Sequence, residues 1–305
     1  MLHDTFGAPK EVVLQRGTLR YHDVGTGPVL VFIHGILANS ALWRQVVPLV
    51  ADRFRCIAPD LPLGAHSIAM PSDADMSPHG VARMVAELLD TLDLRDVTLV
   101  GNDTGGAICQ LVITAHPARI ARLVLTNSDA FEAFFPLIFR WFTPAARMFG
   151  TGFMNTLARI LRSRRAQRLL MATVSRSRFS DAVLDRYLAS FLRDAGVRRD
   201  LMRFLQRVSN KDTLAAAQQF GQFRHPVHLL WGRDDKIFPP SLGRRLQQAF
   251  PNATLELVGP SRAFVPEDQP AALAQLIRSF AHDQALKPAV PYASPRQLAN
   301  EQQAV

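Results

Sequence analysis

Short apolar runs alternate with segments of helical period along most of the chain. Residues 11–15 and 19–23 alternate or run apolar around a turn at Arg16 and Gly17, which predicts an opening hairpin. Residues 29–33, 55–58, 97–100 and 123–126 read as buried parallel strands, and 227–231 with 254–258 complete the sheet. Ser77 followed by Pro78 is an N-cap and first-turn pair for a helix running to about Leu92. Strands that alternate with helices imply an α/β fold with a mostly parallel sheet and right-handed crossovers. From Phe131 to about Asn210 the strand pattern stops and the sequence is helical in period, with ten Phe, Trp141 and Tyr187. The expected organisation is a core of residues 1–130 and 212–285, a helical insert over 131–211, and a tail, 286–305, whose Pro, Gln and Ala content predicts disorder.

Composition narrows the class only slightly. With 305 residues, 48% apolar and 20% charged, the chain has the make-up of an ordinary globular protein with room for one large core and an insert. Residues 1–10 hold no apolar leader and no run reaches 18 apolar residues, so a cytoplasmic protein without a membrane partner is expected. Two cysteines, Cys56 and Cys109, give no disulfide framework. The net charge of +9 raises the question of nucleic acid, but its placement argues otherwise: residues 131–211 carry 16 Lys plus Arg against 5 Asp plus Glu, a local +11. With no nucleic-acid-binding motif, that charge reads as a solvated helix face, and no nucleic-acid partner, cofactor or metal is implied.

The chemistry concentrates in Gly101-Asn102-Asp103-Thr104-Gly105-Gly106, where an apolar strand turns directly into an apolar helix starting near Ala107. A Gly-x-x-x-Gly turn of this kind lifts its middle side chain out of the sheet toward a helix N-terminus. That side chain is Asp103, a carboxylate suited to attacking an sp3 carbon and passing through a covalent ester. The segment resembles the α/β-hydrolase superfamily, in particular its Asp-nucleophile branch of epoxide hydrolases and haloalkane dehalogenases. The resemblance covers roughly residues 10–285 and implies an α/β-hydrolase fold with an α-helical cap entering after the strand at 123–126.

It also implies roles for other residues. His34-Gly35-Ile36 occupies the superfamily's His-Gly position, making the N–H groups of Ile36 and Thr104 the oxyanion-hole donors and His34 a structural residue at the pocket. Asp235 is favoured over Asp234 as the acid by the family's Gly-x-x-Asp spacing, with Asp129 and Glu132 as alternatives. Phe131, Phe134, Phe135, Phe139 and Trp141 are the cap aromatics expected to supply pocket lining, the others forming the cap's own core.

Two departures limit the carry-over. Haloalkane dehalogenases commonly carry Asn and Trp where this chain has Ile36 and Thr104, so a halide has no evident cradle. The family's catalytic His, which activates water, is replaced by Ala263 in Gly259-Pro260-Ser261-Arg262-Ala263-Phe264. His66, after the strand at 55–58, is the candidate substitute base. Three readings follow: a hydrolase of a small hydrophobic epoxide or ester through Asp103, a lyase, isomerase or cyclase using Asp103 as acid or base, and an inactive small-molecule-binding protein. A monomer or homodimer is expected.

Overall fold

A computed structural model describes residues 6–285, and the 286–305 tail lies outside the described residues. Eight strands form one sheet: β1 Lys10–Leu14, β2 Gly17–Val24, β3 Val29–Ile33, β4 Arg55–Pro59, β5 Val97–Asp103, β6 Ile120–Ser128, β7 Val227–Gly232 and β8 Ala253–Val258. Their spatial order is β1-β2-β4-β3-β5-β6-β7-β8. The β1–β2 and β2–β4 pairs are antiparallel and the remaining five pairs, from β4–β3 to β7–β8, are parallel. The central strands β3 and β5 read as continuous apolar runs because both faces of the sheet are covered.

The helices are α1 Pro78–Thr91, α2 Thr104–Ala115, α3 Phe142–Ile160, α4 Arg164–Val174, α5 Asp181–Arg193, α6 Ala195–Arg207, α7 Asn210–Ala217, α8 Pro240–Ala249, α9 Val265–Asp268 and α10 Pro270–Ala285. Ser77 caps α1 by accepting from the Gly80 N–H at 3.0 Å, with Pro78 in the first turn. Helix α2 is buried along ten of its twelve residues, which explains why it is apolar all round rather than amphipathic. It lies under α1 on one side and α7 on another.

Helices α3 to α6 fall between β6 and β7 in sequence, with α3 packed on α6. Three polar attachments hold them over the loops that leave the carboxyl edge of the sheet. The Tyr187 hydroxyl of α5 donates to Glu267, which also accepts from the Arg44 Nη2 at 2.8 Å. Asp200 of α6 accepts from the Met70 N–H at 2.7 Å. The Asn39 side chain donates to the Arg186 carbonyl at 2.8 Å. Loops after β3, β4 and β8 are thus tied to the insert by buried or part-buried polar groups, whose loss would leave desolvated charge behind.

Candidate active site

Strand β5 runs without a linker into α2, and Asp103 takes the strain of that turn at φ 56°, ψ −133°. Small neighbours make the turn possible. A Cβ on Gly105 would lie 2.5 Å from the carbonyl oxygens of Ile33 and His34, and one on Gly106 would lie 2.2 Å from the Ser128 Cβ. Gly35 serves the side chain itself: a Cβ there would lie 2.1 Å from the Asp103 Oδ2. The carboxylate therefore rests against the loop that follows β3.

There the backbone N–H groups of Thr104 and Ile36 face it and favour its charged form. Burial pushes the Asp103 carboxyl up from 3.8 to about 7, the two N–H groups oppose that shift, and the charge of Asp235 adds to it. A pair of N–H groups so placed can hold charge that develops on a carboxyl oxygen.

Asp235 reaches the same sheet edge from the loop after β7. Its Oδ2 accepts from the Asn127 side-chain nitrogen at 2.7 Å and its Oδ1 from the Ile237 N–H at 2.8 Å. Burial lifts its carboxyl to about 6 despite these bonds. Asp234 instead turns outward to an ion pair with Arg176 at 3.1 Å. The loops after β7 and β8 are pinned together, the Asp234 N–H donating to the Ser261 carbonyl at 2.9 Å. Ala263 is fully buried, and its carbonyl accepts from the side chain of Asn102, the residue before Asp103, at 2.7 Å. The structure thus brings Asp103, Asp235 and the position of Ala263 to one place.

Of the alternative acids, Asp129 lies beneath the elbow, where its Oδ2 accepts from the Thr104 hydroxyl at 2.9 Å. Burial, then the charge of Asp103, raises its carboxyl well above the usual range. Glu132 is exposed and paired with Arg245, 3.0 Å from Nη2 to Oε1.

The histidines do not join this group. His34 is buried with Nε2 accepting from the Leu61 N–H at 2.8 Å, so its Nδ1 carries the proton donated to the Gly35 carbonyl at 2.8 Å. Burial drops it to about 4, a neutral imidazole that holds the loop in shape. His66 directs Nε2 to Asp200 at 3.2 Å, while its Nδ1 faces the Gly64 N–H at 3.4 Å, so both ring nitrogens are engaged away from Asp103.

A narrow apolar cavity of ≈ 60 Å³ opens above Asp103. Ile36 and Thr104 form its floor, and Phe135, Phe139, Phe142, Val174 and Phe264 stand among its walls. Asp103 is the one ionisable residue among those lining it. Three of the aromatic residues expected at the pocket lie elsewhere. Phe131 packs beneath the Arg245 guanidinium at 3.9 Å, Phe134 backs Phe135 edge-on at 5.6 Å, and Trp141 is 53% exposed, edge-on to Phe142 at 4.5 Å. Leu170, Met171 and Val174 of α4 line the cavity instead. Their i, i+1, i+4 spacing marks one helix face in the sequence, though nothing there says which surface it meets.

Residues 28–270 match the family model described as alpha/beta hydrolase fold. Haloalkane dehalogenase 2 of Mycobacterium tuberculosis is 29% identical over 278 residues, covering 86% of this chain and 91% of the relative. An uncharacterized hydrolase of Bacillus subtilis, YugF, is 26% identical, covering 82% and 89%. Among solved structures, the haloalkane dehalogenase DatA from Agrobacterium tumefaciens superposes with a TM-score of 0.78 at 22% identity, covering 92% of this chain and 99% of the other. A lipase-like protein from Acinetobacter baumannii reaches 0.77 at 17% identity, covering 91% and 92%.

Proposed function

Because the chain belongs to the alpha/beta hydrolase fold family and is related to haloalkane dehalogenases, we propose that it uses Asp103 as a nucleophile toward a small hydrophobic epoxide or ester. The position of the Asp103 carboxylate carries this reading: it sits on a strained elbow, opens on an apolar cavity and is faced by the Ile36 and Thr104 N–H groups. With an epoxide, a carboxylate oxygen attacks carbon, the ring C–O bond breaks, and the released alkoxide takes a proton from water. An ester remains on the Asp103 Cγ. Water then adds to Cγ and gives a proton to Asp235, and the resulting oxyanion is stabilised by the same two N–H groups. Its collapse breaks the Cγ–O bond to the alkyl group, releasing the diol, which takes a proton back, and restoring the Asp103 carboxylate.

A halide leaving group fits less well. The residues lining the cavity include no Trp, Asn or other side-chain N–H donor, and the two backbone donors already serve the carboxylate. The water step also has no imidazole, since Ala263 fills the expected slot and His66 is engaged by Asp200. Asp235, close enough to act on Asp103 electrostatically, is the acceptor that remains. Ester formation should therefore outrun ester hydrolysis. Pre-steady-state kinetics on an epoxide and ester panel tests this. The expected record is one equivalent of fast ring opening or leaving-group release, then slow turnover, with both phases absent in Asp103→Asn. Turnover retained by that variant removes Asp103 from the mechanism.

One observation favours a second reading. An Asp103 carboxyl at about 7 is matched to proton transfer at neutral pH, and a non-hydrolytic reaction needs no activated water, which suits a cavity without a His. A lyase or isomerase with Asp103 as acid and base would show steady turnover without any burst.

A further inference from the structure

The insert carries a surface that the chemistry at Asp103 does not use. Nine large apolar side chains are exposed among the described residues, and seven of them, Leu137, Ile138, Trp141, Met148, Phe149, Ile160 and Leu169, fall within residues 137–169. Over residues 133–180 the sequence has nine Arg and no Asp or Glu. Trp141, the N-cap of α3, and Met148 within it are seven residues apart, about two turns, as are Arg140, just before the helix, and Arg147, whose guanidinium also donates to the Gln206 and Val208 carbonyls. Arg140, Arg159, Arg162 and Arg165 are exposed, and their guanidinium groups make no ion pair or hydrogen bond with any described residue.

From this arrangement we infer that the α3–α4 face docks on an anionic lipid surface. Charge selects the occupant. Arg164 and Arg168 are neutralised by Asp185 and Asp181 of α5, but a second copy would still bring the unpaired Arg140, Arg159, Arg162 and Arg165 against their own equivalents, and like charges in contact oppose association. A nucleic acid would satisfy the arginines but leave Leu137, Ile138, Trp141, Met148 and Phe149 against phosphate. A lipid interface accepts both, with guanidinium groups at the headgroups and apolar side chains at the acyl boundary. No described helix is long and apolar enough to cross a membrane, so the contact is peripheral. The same segments present Phe139, Phe142 and Leu170 to the cavity on their inner side, which places the docking face next to the wall a hydrophobic substrate must pass.

Trp141 makes the inference directly testable, because the other two tryptophans, Trp43 and Trp231, are fully buried and will not respond. The protein is titrated with vesicles of phosphatidylcholine alone and of phosphatidylcholine with phosphatidylglycerol, following tryptophan emission and co-sedimentation. Docking predicts a blue shift and binding at least about tenfold tighter to the anionic vesicles, weakened by salt. Met148→Asp with Phe149→Asp, both at exposed positions, should abolish the shift, and Arg140→Ser with Arg162→Ser should weaken it. Asp103→Asn should bind like the wild type, since docking does not depend on the proposed chemistry. The inference is overturned by failure to bind anionic vesicles, by heparin or duplex DNA binding with no Trp141 response, or by vesicle-independent dimerisation that buries Trp141.

Discussion

Replacing Asp103 by Asn should abolish turnover and, above neutral pH, stabilise the fold. Burial raises the Asp103 carboxyl from 3.8 to about 7, with the Thr104 and Ile36 N–H groups opposing the shift and Asp235 reinforcing it. Between those two values the folded state keeps a proton that the unfolded chain has released. Stability therefore falls as pH rises through that window and stays low above it. A gap of roughly three units corresponds to about 4 kcal/mol. Part of the Asp103 surface remains open to the cavity, so solvent screening reduces the expected gain on substitution to about 2 kcal/mol. For a chain of 305 residues, with an unfolding entropy of about 0.6 kcal/mol/K, that amounts to about 3 °C in Tm. Thermal unfolding of both proteins between pH 4 and pH 8.5 reads the effect as a difference, to which the relief of Asp129 from the Asp103 charge adds in the same direction. The two should differ little at pH 4 and diverge as pH rises. Curves that stay parallel, or a variant less stable at pH 8, would refute the reasoning.

Other expectations follow from the same geometry. If Asp103 attacks as a carboxylate, kcat/KM should rise through an acid limb near pH 7, matching a carboxyl at about 7, and a limb near pH 4 would mean the group is solvated in the working enzyme. Ala263→His, checked for folding because the site is fully buried, should raise hydrolytic turnover by about 10² to 10⁴-fold. No gain with the new imidazole beside Asp235 would favour the non-hydrolytic reading. Gly35→Ala puts a Cβ 2.1 Å from the Asp103 Oδ2, so the carboxylate must move, and kcat/KM should fall by about 10²-fold. Unchanged activity would show that the position of this carboxylate is not critical. A cavity of ≈ 60 Å³ is too narrow for most ligands, so residues 142–207 should open and exchange amide hydrogens faster than β3, β5 and β6. Uniform protection would count against a gating insert.

The sheet was legible because its central strands are covered on both faces and so appear as apolar runs between loops. Asp103 was legible for a local reason: the strand, the turn glycines and the helix are contiguous, and the strained φ of Asp103 follows from that adjacency. Other features depend on pairs distant in sequence. His66 meets Asp200 across 134 positions, and no local pattern announces that its ring is engaged there. Aromatic periodicity shows that a side chain prefers cover without saying what covers it. Phe139 lines the cavity while Trp141, two residues later, faces outward. The arginine excess was visible in composition, whereas its alignment with exposed apolar side chains needed three dimensions.

Intact-protein mass spectrometry after brief exposure to small hydrophobic epoxides, esters and haloalkanes tests the nucleophile assignment most directly. With Asp103 as nucleophile and no imidazole at position 263, a covalent adduct of substrate mass should accumulate with an epoxide, localise to the peptide bearing Asp103 and be absent in Asp103→Asn. Conversion of substrate with no adduct at any time, or an adduct that persists in Asp103→Asn, would contradict the account.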